Sequence, residues 1–267
     1  MRNASLRIGS LGRRVENQNV LVTAGASGIG REIVRAFAAS GARVFVGDID
    51  RAALDALAVE IPGLATAVCD IASRADVENM LARAVDTLGG IDVLVNNAGI
   101  PGPTAAIEDV DMDEWERVVN VNLNGTFNVT RLAIPHLKRS AAGSIIMLSS
   151  VAGRFGYPHR AAYSTTKWGL IGLTKTLSIE LGEYGIRVNA IAPGAVGGPR
   201  FERVLTGRAK QSGQSIETVA EAAFHAQSIK GPVDARDVAA LAVFLASSSA
   251  KMISGTTLPI DGDRQTA

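Results

Sequence analysis

The stretch that decides the fold reads Val20-Leu21-Val22-Thr23-Ala24-Gly25-Ala26-Ser27-Gly28-Ile29-Gly30. An apolar, β-branched run comes first, small residues rich in glycine follow, and a helical pattern begins at Gly28. In a strand, turn and helix of this kind the backbone can approach a pyrophosphate. The free N–H groups and the positive dipole of the helix then face its charge. The same residues could also form a tight turn in which glycine serves only close packing.

Short apolar strands and alanine-rich helices alternate along the rest of the chain. The predicted strands are 20–22, 43–47, 65–69, 91–95, 144–149, 186–191 and 257–260, and the predicted helices are 28–40, 51–60, 73–88, 113–132, 163–183 and 237–246. Apolar strands that alternate with helices predict a parallel sheet covered on both faces. Because crossovers are right-handed, we expect an α/β fold with a doubly wound, Rossmann-like parallel sheet.

The chain is predicted to form one domain over residues 19–267, with no linker dividing it. Residues 1–18 are interpreted as a loosely ordered N-terminal leader; their arginines resemble a transit peptide, but a signal-peptide apolar core is lacking. Residues 197–230 depart from the alternation. We interpret them as a short helical insertion near the substrate site, since ligands bind beyond the carboxyl ends of the strands in such sheets.

Composition excludes several classes of protein. Of 267 residues, 47% are hydrophobic, which argues against disorder, and the formal net charge of +1 argues against a nucleic-acid partner. No apolar run reaches the roughly 18 residues of a membrane helix. The single Cys69 reads as a buried, inert thiol, and the scattered His136, His159 and His225 predict no metal site. We therefore expect a cytoplasmic protein with a small-molecule substrate.

Two aspartates end predicted strands beside the glycine-rich turn. Asp48, eighteen residues after Gly30, can accept hydrogen bonds from the adenosine ribose hydroxyls and repels a 2′-phosphate. This favours NAD over NADP as the cofactor. An ordinary helix N-cap is the alternative for Asp48. Asp70 can meet the adenine amino group, or act as a cap.

Tyr163-Ser164-Thr165-Thr166-Lys167 places a phenol and an ammonium four residues apart, on one face of a helix. A free tyrosine has a pKa near 10, and a neighbouring cation favours the phenolate. A pKa decrease of about three units would require roughly 4 kcal/mol, which Lys167 and a positively charged nicotinamide could supply together. Tyr163 could then act as a general acid or base. A surface pair without function is the alternative.

From about Val20 to Asp263 the chain resembles the single-domain short-chain dehydrogenase/reductase family. Five motifs in order carry the resemblance: the turn Thr23–Gly30, Asn96-Asn97-Ala98-Gly99, Asn122, Ser150 with Tyr163 and Lys167, and Pro193-Gly194. The sequence departs from the family at two positions. Ala24 stands where the motif usually has glycine, and Gly198 stands where a threonine often holds the nicotinamide amide.

The resemblance implies roles for these residues. Tyr163 transfers the proton, Lys167 binds the nicotinamide ribose, Ser150 bonds the substrate oxygen, and Asn122 holds a water of a proton relay. Ser149 is a rival for the serine role. The residues expected to bind the cofactor are Gly25, Ser27, Gly28, Ile29, Gly30, Asp48, Asp70, Ile71, Asn97, Ala98, Gly99, Tyr163, Lys167, Pro193 and Val196.

The resulting hypothesis is an NAD(H)-dependent oxidoreductase that interconverts a secondary alcohol and a carbonyl. A 3-oxoacyl thioester reductase of the same family, a non-catalytic dinucleotide sensor and a methyltransferase stay open as alternatives. The resemblance also suggests a homotetramer built on the two long helices, with no nucleic acid, membrane or metal involved.

Overall fold

In the computed structural model, which describes residues 15–265, the strands follow the apolar runs of the sequence. They are β1 (Asn19–Thr23), β2 (Arg43–Asp48), β3 (Ala65–Val68), β4 (Val93–Asn96), β5 (Ser144–Leu148), β6 (Arg187–Pro193) and β7 (Thr257–Ile260). All pair in parallel, in the order β3-β2-β1-β4-β5-β6-β7. The order reverses direction between β1 and β4, which opens a crevice at their carboxyl ends.

Helices cover both faces of the sheet. They are α1 (Gly28–Ala39), α2 (Arg51–Glu60), α3 (Arg74–Leu88), α4 (Met112–Val119), α5 (Thr126–Leu137), α6 (Ala161–Glu180), α7 (Pro199–Ser212), α8 (Ile216–His225) and α9 (Ala235–Ala246). Alternate strand residues divide the core in two. Val20 and Val22 pack with α1, α2 and α9, whereas Leu21 packs with α3 and α5. This arrangement confirms the predicted doubly wound parallel sheet.

The helix ends follow local sequence chemistry. Gly41, just past α1, has φ +81°, the left-handed geometry that glycine allows. The Ser73 hydroxyl oxygen accepts from the Asp76 N–H at 3.3 Å, and the hydroxyl donates to the Asp76 carboxylate at 3.0 Å. The predicted cap at the start of α3 is therefore present. Cys69 is buried as predicted, and burial raises the pKa of its thiol to about 12.

The helix predicted over residues 113–132 is wrong in two respects. The helical segment extends to Leu137 although Pro135 lies in its last turn, where the missing N–H removes a single backbone bond, to the carbonyl of residue 131. A π-helical turn, Asn120–Gly125, also separates α4 from α5. Three asparagines and a glycine favour the helix weakly there, and tertiary hydrogen bonds fix the turn instead.

The first residues that the structure describes belong to the packed domain. Val15 is fully buried, and the Asn17 N–H donates to the Gly41 carbonyl at 2.9 Å. Residues 15–18 are therefore not loosely ordered, and the rest of the predicted leader lies outside the described residues. Within residues 15–265, the helices are too short or too polar to span a bilayer.

The insertion consists of α7 and α8, which share a small apolar cluster of Leu205, Val219 and Ala223. After β7 the chain returns to α8 as a strap of residues 261–265. Arg264 Nη1 donates to the Ala223 carbonyl at 2.9 Å, and the Gln265 N–H donates to the Ala226 carbonyl at 3.0 Å. The strap thus ties the insertion to the end of the sheet.

Candidate active site

The sequence-predicted site residues gather at one edge of the sheet, because parallel strands end on the same side. Residues 25–30 follow β1, Asp48 ends β2, and Asp70 and Ile71 follow β3. Asn97–Gly99 follow β4, Ser150 follows β5, and Pro193 and Val196 end and follow β6. Asn122 lies in the π-helical turn, and Tyr163 and Lys167 lie on α6. Ile71 and Ala98 are buried, so their side chains serve packing.

The glycines of the turn after β1 have different tasks. A Cβ on Gly30 would lie 2.2 Å from the Ala24 carbonyl oxygen, and one on Gly25 would lie 2.7 Å from Val46 Cγ1, so both positions are set by packing. Gly28 has φ +53° and nothing within 4 Å of such a Cβ. Packing alone therefore does not account for the turn, since Gly28 leaves space where a ligand can approach the backbone.

Hydrogen bonds link the ends of β1 and β4 on either side of the crevice between them. Thr23 Oγ1 accepts from the backbone N–H groups of Asn97 and Ala98, each at 3.1 Å. The Asn97 amide donates to the carbonyls of Thr23 (3.0 Å) and Ala24 (2.8 Å). The Asn97 side chain thus holds the glycine-rich turn in place.

Asp48 does not cap a helix, which removes the alternative left open by the sequence. Asp50 is the N-cap of α2 and accepts from the Ala53 N–H at 3.0 Å. Asp48 is 7% exposed, and its carboxylate accepts from the N–H groups of Ala26 (2.9 Å) and Asp50 (3.1 Å). A fixed negative charge therefore lies beside the turn. The Asp70 carboxylate accepts from the Ala72 N–H at 2.9 Å, in the turn before α3, whose N-cap is Ser73.

The turn and α1 have the features that a dinucleotide pyrophosphate requires. The side chain of Ser27, the N-cap of α1, makes no hydrogen bond to the first turn, and no acidic residue occupies that turn. The first N–H groups of a helix lack intrahelical partners and attract anions. Together with the open space at Gly28, this arrangement fits a bound pyrophosphate.

Tyr163 and Lys167 lie side by side on α6. Lys167 Nζ is 5.6 Å from the centre of the Tyr163 ring, and it donates to the Leu148 carbonyl, at the end of β5, at 2.7 Å. Lys167 is only 3% exposed. A buried ammonium requires polar contacts to offset its lost hydration, so Lys167 belongs to the interior and the two residues are not an exposed surface pair.

The two serines after β5 are used differently. The Ser149 hydroxyl donates to the Lys167 carbonyl at 2.8 Å, which ties β5 to α6. Ser150 Oγ accepts from the Ala152 N–H at 3.2 Å, and within the described residues its own O–H donates to no protein group. A serine hydroxyl can accept and donate together, so Ser150 keeps a donor for a ligand.

The π-helical turn brings Asn122 into the site. Its amide pairs with both backbone groups of Ile100, accepting from the N–H at 2.7 Å and donating to the carbonyl at 3.0 Å. It also donates to Thr166 Oγ1 on α6 at 3.2 Å. Asn122 is fully buried, so it joins three segments around Lys167.

Arg160 is a site residue that the sequence analysis missed. It is 3% exposed, Nη2 donates to the Pro101 carbonyl at 2.8 Å, and its guanidinium carbon lies 5.1 Å from the centre of the Tyr163 ring. The only sequence signal is its position three residues before Tyr163, which places it near the tyrosine once the helix starts at Ala161.

A cavity of about 500 Å³ lies next to the start of α6. Its lining residues are Ala105, Ile107, Gly156, Tyr157, Pro158, His159 and Ala161. Arg208 of α7 stacks on the Tyr157 ring, 4.8 Å from its centre, so the insertion contacts the cavity wall. Arg154 is ion-paired with the buried Asp261 at 2.8 Å. Residues 15–265 contain no group of three metal-ligating side chains.

A family model described as short chain dehydrogenase matches residues 18–208, which include the turn, Asn122, Ser150 and the Tyr163–Lys167 pair. This chain belongs to the short-chain dehydrogenase family. Its members are oxidoreductases that bind a nicotinamide dinucleotide and act on small molecules. The methyltransferase alternative is therefore wrong.

Relatives of this short-chain dehydrogenase match along nearly their whole length. The chain is 36% identical over 253 residues to a 3-oxoacyl-[acyl-carrier-protein] reductase of Thermotoga maritima, and the match covers 93% of this chain and 98% of the relative. It is 36% identical to L-fucose dehydrogenase of Bos taurus, covering 95% and 91%. The solved structure of an NAD⁺-bound xylitol dehydrogenase superposes with a TM-score of 0.90 at 30% identity, covering 93% and 99%.

The structure gives a reason for one departure of this short-chain dehydrogenase from the family pattern. Gly198 has φ +123°, a backbone conformation that side-chain-bearing residues rarely adopt. A threonine at this position would be strained. Gly198 is the N-cap of α7, so the insertion begins with a geometry that only glycine adopts readily.

Proposed function

We propose that this protein is an NAD(H)-dependent oxidoreductase that interconverts a secondary alcohol and a carbonyl, with Tyr163 as the general acid and base. The observation that carries the proposal is the buried Lys167 ammonium beside the Tyr163 ring, at the carboxyl edge of the sheet. A positive charge in a poorly hydrated site favours the phenolate over the phenol. A tyrosine so supported can accept a proton from an alcohol near neutral pH.

A bound nicotinamide dinucleotide supplies or accepts the hydride in this chemistry. The turn at 25–30 and the start of α1 would hold the pyrophosphate, and Asp48 would accept from the ribose hydroxyls. Asp70, Ile71 and residues 97–99 would flank the adenosine, and Pro193 and Val196 would flank the nicotinamide. Ser150 would donate its hydroxyl to the substrate oxygen while Tyr163 moves the proton. Lys167 would contact the nicotinamide ribose, and Asn122 would order a water that links Lys167 to solvent.

The charge on Asp48 supports NAD rather than NADP. Its carboxylate is fixed by two backbone N–H groups, so it cannot swing away from a 2′-phosphate without losing both bonds. The solved structure of a 3-ketoacyl-(acyl-carrier-protein) reductase from Brucella melitensis in complex with NADH, 33% identical with a TM-score of 0.83, is consistent with this preference.

The second candidate is reduction of a 3-oxoacyl thioester. Two of the relatives are named as reductases of this kind, whereas others are named for L-fucose, D-beta-hydroxybutyrate or levodione. The cavity beside α6 is lined mainly by apolar atoms, and Arg208 of α7 stacks on its Tyr157 wall, which suits a compact alcohol or ketone. A screen of alcohols, ketones and 3-oxoacyl thioesters with NAD(H) and NADP(H) separates the two candidates.

The test of the chemistry is Tyr163→Phe, which removes the phenolic oxygen and keeps the ring. We expect turnover to fall by at least a thousandfold while NADH still binds, measured by fluorescence titration. If the protein is instead a non-catalytic dinucleotide sensor, the wild-type protein should bind NADH and turn over no substrate in the screen. Unchanged turnover in Tyr163→Phe would refute Tyr163 as the proton-transfer group.

We further propose that the protein is a cytoplasmic homotetramer. Phe127 on α5 and Trp168 on α6 are about half exposed, and such apolar side chains on the two long helices favour contact with further subunits. Size-exclusion chromatography with light scattering tests this assembly. A monomeric mass at micromolar concentration would contradict it.

A further inference from the structure

Tyr163 has a second cation beside it that the proposed mechanism does not use. The guanidinium carbon of Arg160 lies 5.1 Å from the centre of the Tyr163 ring, and Lys167 Nζ lies 5.6 Å from it. Both distances fall within the roughly 6 Å over which an aromatic ring attracts a cation. Both positive groups therefore lie against the Tyr163 ring, and they come from residues on either side of it in the chain.

Arg160 is fixed in place by burial and by hydrogen bonds of its side chain and its backbone. It is nearly fully buried, its Nη2 donates to the Pro101 carbonyl, and its own carbonyl accepts from the Ser164 N–H at 2.8 Å. Asn122 binds both backbone groups of Ile100, the residue before Pro101. The segment after β4 is thus fastened at two consecutive residues, once by Asn122 and once by Arg160.

We infer that Arg160 is a positioning residue for proton transfer by Tyr163, because it fixes the ring and adds a second positive charge that favours the phenolate. The inference rests on the proposed function, since Arg160 acts here only through Tyr163. A planar guanidinium can stack on the ring and bind a carbonyl at the same time, which an ammonium cannot do as well. A cation within about 4–6 Å of an acidic group favours its charged form and lowers its pKa by about one unit or more.

The elements packed against α6, and the segments that contact those elements, carry other titratable groups. They are Arg154, Tyr157 and His159 after β5, Asp261 after β7, Arg208 on α7, Asp113, Glu114, Glu116 and Arg117 on α4, Glu183 and Tyr184 after α6, and Arg187 on β6. Arg154 is paired with Asp261, and Glu114 with Arg117. Arg208 stacks on Tyr157. Arg160 and Lys167 contact the Tyr163 ring itself, so a charge change at Arg160 tests the inference directly.

The experiment compares Arg160→Gln and Arg160→Lys with wild type, with Arg117→Gln as a control that removes one exposed positive charge elsewhere. The readouts are the pH profile of kcat/KM and the tyrosinate absorbance titration, from which the Tyr163 signal is obtained by subtraction of Tyr163→Phe. We expect Arg160→Gln to move the acidic limb of the profile and the Tyr163 midpoint upward by about one pH unit. Arg160→Lys should keep the midpoint near wild type while turnover falls, and Arg117→Gln should shift neither.

Each result bears on the inference. If Arg160→Gln lowers turnover without moving the midpoint, Arg160 only tethers the Pro101 segment and the inference is overturned, while the proposed function stands. If Arg160→Gln does not fold, a shifted midpoint in Arg160→Lys overturns the inference and an unshifted one with slower turnover supports it. An active Tyr163→Phe overturns the inference and the proposed function together.

Discussion

Substitution of Gly30 by alanine sets two physical effects against each other. Alanine is about 1 kcal/mol better than glycine inside a helix, so propensity alone predicts stabilisation. The new Cβ, however, would lie 2.2 Å from the Ala24 carbonyl oxygen, 2.5 Å from Asn97 Nδ2 and 2.9 Å from Gly25 Cα. The first and last are backbone atoms, and the amide is fixed by two hydrogen bonds, so none can yield easily.

Overpacking of this kind costs typically about 1–3 kcal/mol and sometimes more, so the clash outweighs the propensity gain. We expect a net loss of about 2 kcal/mol in the free energy of unfolding, which lowers Tm by roughly 4–8 °C in a domain of this size. Thermal unfolding followed by circular dichroism measures it, and NADH titration should show weaker binding because the turn moves. Gly182→Ala is the matched control: its Cβ meets nothing within 4 Å, so its Tm should not fall. A Gly30→Ala protein as stable as wild type would refute the close packing described here.

Two further predictions concern the same turn. Ala24 has φ +50°, which costs a residue with a Cβ about 1–2 kcal/mol, whereas Ala26 is buried and has an ordinary φ. Ala24→Gly should therefore leave the free energy of unfolding unchanged or raise it, whereas Ala26→Gly should lower it by roughly 1 kcal/mol. Urea unfolding measures both variants, and an Ala26→Gly protein more stable than Ala24→Gly would contradict the prediction. Asp48→Asn keeps an acceptor for the Ala26 N–H but removes the negative charge. The ratio of kcat/KM with NADPH to kcat/KM with NADH should therefore rise at least tenfold. An unchanged ratio would argue against the charge of Asp48 as the basis of cofactor choice.

The sequence predicts the sheet well because its strands are short, apolar on both faces and bounded by glycine or aspartate. Burial on both sides leaves little choice of conformation for such runs. The edge at which the site residues meet follows from parallel pairing alone. The outline of the glycine-rich turn is predictable from the sequence. Which glycines are required by packing, and which one leaves space for a ligand beside the backbone, depends on neighbours such as Val46 that are distant in sequence.

Other features depend on contacts that a linear pattern does not contain. The π-helical turn is invisible in the hydrophobic period, because it is fixed by the bonds of Asn122 to Ile100 and Thr166. Arg160 looks like any arginine before a helix, and its burial depends on contacts distant in sequence, such as the bond to the Pro101 carbonyl. The different hydrogen bonds of Ser149 and Ser150 likewise depend on which hydroxyl reaches the Lys167 carbonyl.

The strap at residues 261–265 gives the two ends of the insertion unequal freedom. The end of α8 is hydrogen-bonded to the strap, whereas α7 begins two residues after Gly197, whose N–H donates to the Val233 carbonyl at 3.3 Å. Any rocking of the insertion to admit a substrate should therefore pivot at the strap and be widest at α7.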